Sequence, residues 1–371
     1  MKNDHLLHAE DLLITEANPF VPLNILEQVY NFLTGIPTNT TVSVKWDGCP
    51  AFVVGKNPEN NRFFVGTKSV FSGKKVNYCH ADIMENYPDN KGLQAVLMEL
   101  YDKFWYIDFP HVLQGDLLWM KDEQLGDEDE CKFQPNTLVY VIPNTSKIYN
   151  NVLHSDIGCV FHTTYTGTTL ENMEAHVGAI NPDYLKSEQI YAFDPKVYSP
   201  KNLNFNLGII PKMREQALKL LQLVPALKYL QTRVYFQQYI NYCIKKNNIT
   251  YSSFDFIEYQ NSLFEQHISK LKTQRGKENA AWDYDVYLNG FDRVVGPKDF
   301  EYIIAYYLDL VRLKNTLINV LDTISVKDIA IYLPDGRGCG HEGYVATSLG
   351  YTVKLVDRFI FSRANFERWS E

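Results

Sequence analysis

Four short segments carry residue types that together could handle a phosphate ester. Lys45-Trp46-Asp47-Gly48 closes an apolar run with an amine, a carboxylate two residues later, and a glycine. Gln114-Gly115-Asp116-Leu117 places a second carboxylate after another apolar approach, and His341-Glu342-Gly343-Tyr344 offers a third. In Thr352-Val353-Lys354-Leu355-Val356 a lysine alternates with apolar neighbours, so on a strand it points away from them. A free lysine titrates near about 10.4 and is protonated at neutral pH. Partial burial beside another cation exposes the lone pair and makes the amine a nucleophile toward phosphorus. A metal ion or a second lysine can be that cation and also neutralise phosphate. Lys68, in Val65-Gly66-Thr67-Lys68-Ser69, and Lys354 are the candidates for phosphate contacts. Asp116 could accept a hydrogen bond from a ribose hydroxyl or hold a metal-bound water, and Glu342 is the natural second metal-organising carboxylate. Taken singly, each residue also fits an ordinary role: a strand-end lysine facing solvent, an aspartate beside a glycine in a turn.

These residues need strands to carry them. Thr41–Val54, Arg62–Thr67, His111–Trp119, Thr137–Ile142 and Gly158–Tyr165 are rich in β-branched and aromatic residues and read as strands. Lys56-Asn57-Pro58-Glu59-Asn60-Asn61 joins the first two as an antiparallel hairpin. Asn24–Leu33 has helical spacing and stops at Gly35. From about 205 to 325 the rhythm changes to i, i+3, i+4, in Met213–Val224, Ala226–Lys245, Ser253–Lys272 and Lys298–Thr323. Ser253 suits an N-cap and Pro297 the first turn of the last helix. Strand character returns in Ile329–Leu333, Gly343–Ala346 and Thr352–Val356. The expectation is an α+β protein: residues 1–204 and 328–371 form one domain of antiparallel sheets with helices, interrupted by an all-α module over 205–327.

Other motifs fall away. The loop Asp335-Gly336-Arg337-Gly338-Cys339-Gly340 lacks the Gly-Lys-Ser/Thr of a phosphate cradle and reads as a flexible connection, and His341-Glu342 has no second histidine at helical spacing. The acidic run Lys121–Glu130 lacks the ligand spacing of a calcium loop and reads as solvated. Six scattered cysteines without a Cys-x-x-Cys pair read as reduced thiols.

The order Lys-x-Asp-Gly, Gly-Asp, Glu-Gly-Tyr-Val, Val-Lys-Leu resembles the covalent nucleotidyltransferase superfamily of polynucleotide ligases and RNA capping enzymes. Lys45–Gly48 looks like motif I, Gly66–Ser69 a loose motif Ia, Gly115–Leu118 motif III, Glu342–Val345 motif IV and Val353–Leu355 motif V. Gly158–His162 resembles motif IIIa, whose aromatic stacks on the base; Phe161 fits that place, with Tyr140 as the alternative. The opening His5–Asp11 and the surroundings of Lys45 also resemble ligase-like proteins of large phages. The resemblance covers about 1–200 and 328–371 and leaves the helical module outside. Asp116 stands where motif III usually has glutamate, motif V has one lysine where two are usual, and 226 residues separate Asp116 from Glu342.

What the resemblance implies is an ATP-dependent enzyme with Mg2+ or Mn2+. Lys45 would be the nucleophile and AMP carrier. Asp47 would orient it or a metal-bound water, Asp116 would contact the ribose and, with Glu342, the metal. Lys68 and Lys354 would hold phosphates, and Phe161 the base. The polymer is read from charge and length. The 371-residue chain carries −8 overall, but Lys201–Glu278 holds twelve basic and five acidic residues, a local +7 that leaves −15 elsewhere. A basic helical module suits a nucleic-acid partner, although a solvated helix surface has the same composition. Only fourteen residues follow Asp357, too few for an appended OB-fold, which favours RNA ligation over DNA nick sealing. A capping or protein-AMPylating transferase and an inactive ligase-like binding protein are the competing readings. A polar amino terminus and the lack of an uninterrupted apolar run of about 18 residues point to the cytoplasm, or a host's cytoplasm, with no membrane span.

Overall fold

A computed structural model of the chain describes residues 6–121, 125, 126, 129–178, 180, 185, 187, 189–200, 203–246, 251–325 and 328–362. The expected Lys121–Glu130 run falls partly outside them, at 122–124, 127 and 128. The protein is mixed α+β. Its strands are β1 (Thr41–Lys45), β2 (Ala51–Lys56), β3 (Phe63–Gly66), β4 (Val112–Met120), β5 (Leu125–Gly126), β6 (Glu130–Phe133), β7 (Val139–Pro143), β8 (Ile157–Thr166), β9 (Glu174–Val177), β10 (Ile190–Phe193), β11 (Ala330–Tyr332), β12 (Gly343–Ser348) and β13 (Tyr351–Leu355). Its helices are α1 (Leu12–Thr15), α2 (Phe20–Thr34), α3 (His80–Asn86), α4 (Lys91–Phe104), α5 (Tyr149–His154), α6 (Ile209–Leu220), α7 (Val224–Gln231), α8 (Tyr235–Lys245), α9 (Ser253–Lys270), α10 (Gln274–Val294) and α11 (Gly296–Ser325).

Two compact units share the chain: residues 1–6, 39–200 and 319–352 in the first, and 7–38, 201–318 and 353–371 in the second. The division falls within α11 and within β13.

The first unit holds the sheets. Six strands form one of them, β10-β8-β4-β2-β3 with β9 beside β8; β11-β7-β6-β5 is the second, and β1-β12-β13 the third. Of the strand pairs with a described register, β10 with β8 is parallel and the others are antiparallel. The expected hairpin is β2–β3, with Val54 opposite Val65. Its turn is held by the Asn57 side chain, which accepts from the Glu59 N–H at 2.9 Å. The expected single strand Thr41–Val54 is instead β1 and β2, interrupted at Trp46–Pro50 by a glycine and a proline that has no N–H to give a ladder. One face of the large sheet buries Phe52, Leu113, Leu117, Cys159 and Phe161 against Leu97, Leu100 and Phe104 of α4. The loop Asp335–Gly340 is tied down: Leu333 N–H donates to Arg337 O and Cys339 N–H to Ile331 O, both at 2.9 Å. All six cysteines are free thiols.

The second unit is helical. Expected helix Ala226–Lys245 divides into α7 and α8. The cap of α9 is Ser252, whose Oγ accepts from Asp255 N–H at 3.0 Å, one residue before the expected Ser253. The 21-residue α10 has no counterpart in the apolar rhythm, because its surface is polar apart from exposed Trp282 and Val286. No described helix is long and apolar enough to cross a membrane.

Burial in this unit includes charge. Lys314 Nζ lies 2.6 Å from Glu10 Oε1, both side chains fully buried. Nearby, Tyr307 OH donates to Asp11 Oδ1 at 2.8 Å and Arg358 Nη1 donates to the Tyr307 oxygen at 3.0 Å. The Glu10-Asp11 pair of the opening segment is thus bound up within its own unit. A buried pair contributes little net stability, but removing one partner strands the other charge in a low dielectric. Lys314→Met is therefore expected to lose about 3–5 kcal/mol in urea unfolding, with most of it recovered by adding Glu10→Gln. A single variant within about 1 kcal/mol of the parent would show that water reaches the pair.

Candidate active site

The site is built where β1 ends and β12 begins. Their antiparallel register runs from Thr41 opposite Thr347 to Lys45 opposite Gly343. Glu342 is the residue just before β12, so it arrives beside Lys45, and the two side chains form an ion pair across 297 residues of sequence. Neither is sealed off: the side chains are 28% and 15% exposed.

The Glu342 side is held by the chain around it. Tyr344 is fully buried, and its hydroxyl donates to Asp322 Oδ1 at 2.6 Å and meets Ser325 Oγ at 2.6 Å. A Cβ at Gly340 would lie 2.1 Å from Asp322 Oδ2, so only glycine lets that carboxylate approach the backbone before Glu342. Burial raises the pKa of Asp322.

On the other side, Trp46 is packed among Phe193 (ring centroids 4.3 Å apart), Tyr140 (5.2 Å) and His341 (5.4 Å). Asp47 is buried. Its Oδ1 accepts from Asn136 Nδ2 at 2.8 Å, and its Oδ2 from the N–H groups of Thr137 and Leu138 at 2.6 and 2.9 Å. This corrects the expectation that Asp47 orients the lysine amine or a metal-bound water. Its carboxylate satisfies the backbone ahead of β7 and thereby anchors the loop that presents Lys45. Tyr140 completes the anchor by accepting from Asp47 N–H at 3.2 Å. Burial pushes its phenol well above the usual range.

Gly48 brings in the third segment. A Cβ there would sit 2.4 Å from Asp116 Cβ and 3.0 Å from Leu117 O. Asp116 therefore stands directly over the glycine of the Lys45 loop, and Cys49 N–H donates to Leu117 O at 2.9 Å to hold the approach. Asp116 Oδ2 is 3.5 Å from His162 Nε2 on β8.

Three further expected residues are Phe161, Lys68 and Lys354. Phe161 is 1% exposed and wedged against Phe52 and Phe104, with centroids 5.5 and 6.0 Å away, so it offers no face to a base. Its neighbour His162 is the part-exposed ring of that strand. Lys68 stands exposed at the start of a 3-10 turn capped by Thr67, joined by no ion pair among the described residues. Lys354 lies on β13, and its N–H donates to Leu7 O at 2.8 Å. Among the described residues no group of three or more His, Cys, Asp or Glu side chains is arranged to hold a metal. Glu342 and Asp116 are the carboxylates at the site, and a magnesium ion carried by phosphates needs only one or two.

Asn136, His162 and His341 were not singled out from sequence. Pro135-Asn136-Thr137 is a turn signal that could have pointed to Asn136. Nothing in the local pattern distinguishes the two histidines.

A family model described as a family of unknown function, DUF6267, matches residues 3–369, and the chain belongs to that family. No curated protein and no solved structure matches the chain.

His341 makes the site sensitive to acid. It is 2% exposed, Nδ1 has no hydrogen-bond partner among the described residues, and burial lowers its pKa to about 4. The unfolded chain protonates this imidazole near 6.5, the folded one only near 4, so the unfolded state binds more protons in between. Stability is then complete above pH 6.5 and falls as the pH drops toward 4, by about 3 kcal/mol. Subtracting the unfolding curve of His341→Leu from that of the parent should isolate this slope. Parallel curves between these pH values would refute the assignment.

Proposed function

We propose that this member of the DUF6267 family is an ATP-dependent covalent nucleotidyltransferase with Lys45 as its nucleophile, and that it serves as an RNA ligase. One observation carries the reading: residues from three distant segments, Lys45, Asp116 and Glu342, meet around the Lys45–Gly48 loop. In this reading the ion pair with Glu342 opens when a nucleotide enters. The lysine, having given its proton to solvent, attacks the α-phosphorus; the bond to the β-phosphate oxygen breaks and pyrophosphate leaves. AMP then passes to a 5′-phosphate end, and a 3′-hydroxyl displaces it to seal the strand. In-line positioning and charge neutralisation would supply most of the acceleration. A magnesium or manganese ion would neutralise phosphate charge, with Glu342 and Asp116 to hold it.

Asp116 lies on the sheet beside the loop, where a ribose hydroxyl could reach it. With Phe161 in the core, stacking on the base would fall to another ring, and His162 is the nearest part-exposed one on β8. Lys68 and Lys354 remain proposed phosphate contacts. RNA is preferred to DNA on the local positive charge of 201–278. DNA nick sealing, cap formation and AMPylation use the same first step and differ in nucleotide or acceptor.

The test is label transfer from α-labelled ATP or GTP, each with magnesium or manganese. ATP should leave a denaturant-stable, acid-labile phosphoramidate, absent in Lys45→Ala and reduced on the order of 100-fold in Glu342→Gln. Label from GTP alone would move the reading to cap formation; no label under any condition would sink it. Nicked RNA, nicked DNA and single strands offered to the labelled protein then identify the acceptor.

A further inference from the structure

The helical unit contains a cavity of about 610 Å³ between the chain entering α8 and the helices α9 and α10. That volume falls within the range of about 300–1,000 Å³ typical of small-molecule pockets. On its wall is Gln260, 1% exposed, whose Nε2 and Oε1 both lack a hydrogen-bond partner among the described residues. An amide buried with neither end satisfied destabilises the fold unless something in the cavity bonds to it. Around it stand aromatic rings: Phe264 and Tyr284 are stacked face to face, centroids 4.3 Å apart and planes 6° from parallel. Tyr284 is fixed by its hydroxyl, which donates to Asn261 Oδ1 at 2.6 Å. Arg233 reaches the same cavity from an exposed position, its guanidinium 5.6 Å from the Tyr235 ring. Asp283 adds an acceptor.

We propose that this cavity binds a nucleobase. A glutamine amide presents a donor and an acceptor side by side, the complement of a base edge such as N6 and N7 of adenine. The ring platform suits a flat heteroaromatic ligand, which every base is, and an apolar ligand would leave the amide unsatisfied. Arg233 is placed to meet a phosphate attached to that base. The base could come from a free nucleotide or from an unpaired residue of a strand. The proposal stands independently of the chemistry assigned to Lys45.

The experiment uses two photoreactive probes on the full chain, 8-azidoadenosine 5′-monophosphate and an RNA octamer carrying 4-thiouridine. Cross-linked peptides are mapped by mass spectrometry. Saturable cross-links within residues 233–284 are expected, reduced at least tenfold in Gln260→Leu. That substitution removes both unsatisfied atoms, so its melting temperature should not fall. Arg233→Gln, an exposed change, should weaken both probes as well. Lys45→Ala should leave these cross-links unchanged, which separates this site from the one on β1. Cross-linking by the monophosphate identifies a nucleotide site, and by the octamer alone a strand site. Cross-links confined to residues 39–200, or undiminished in both Gln260→Leu and Arg233→Gln, would overturn the proposal. So would a Gln260→Leu chain that melts early, if Arg233→Gln binds both probes as the parent does.

Discussion

The register of β1 against β12 is the constraint on which the site depends. Lys45 lies opposite Gly343, and a slip of one residue would turn every side chain of β1 to the other face. The lysine would then leave Glu342, and Val42 would leave its buried position. Hydrophobic pattern and ion pair therefore favour the same alignment. Neither half of the chain supplies the pair alone, so the site exists only once these two strands have found each other. Such long-range pairing has a high loop-closure cost.

Fixing the register positions backbones; the amine and carboxylates need further supports, and these differ in kind. Trp46 is held by rings on three sides, a packing restraint insensitive to salt. Asp47 is held by three short hydrogen bonds to the 136–138 segment, charge-assisted and roughly twice as strong as neutral ones. Glu342 is held from behind by the Gly340–Asp322–Tyr344 contacts. The flanking residues are thus packed and hydrogen-bonded, while Lys45 and Glu342 keep partial exposure. A solvent-accessible lysine on a rigid mount is what a reaction at that amine requires, since loose mounting wastes orientation.

Much of this was legible in sequence, and the failures have physical causes. Lys45 and Glu342 were singled out because charges at strand ends beside glycine stand out against apolar runs, and Asp116 because it follows a glycine within one. The β2–β3 hairpin was legible from its Asn-rich turn, and the switch to helices from its period. Phe161 was misplaced because a strand pattern gives the alternation of faces but not which face meets a core. Here β4 and β8 carry register irregularities, near Gln114/Gly115 and Leu117/Trp119, that break simple alternation. Asp47 was misassigned because its partners lie about 90 residues away on another strand's approach. Helix α10 escaped because a polar helix with few buried residues has no apolar stripe to read.

The departure at Asp116 can be weighed in the same terms. An aspartate is one methylene shorter than the glutamate its position resembles, and its carboxylate reaches less far from the strand. In the proposed role that shorter reach would be offset from below and from the side. Gly48 has no Cβ, so the Lys45 loop comes as close to Asp116 as backbone can, with only 2.4 Å between Asp116 Cβ and where a Gly48 Cβ would be. His162, 3.5 Å from the carboxylate, adds a longer polar side chain on the adjacent strand. In the proposed role, the ribose contact would be made by a carboxylate brought nearer, with an imidazole beside it. Lengthening residue 116 would force that carboxylate past Gly48 or into His162. The aspartate, the glycine and the histidine are therefore best understood as one arrangement, in which changing any one alters the space left for the other two.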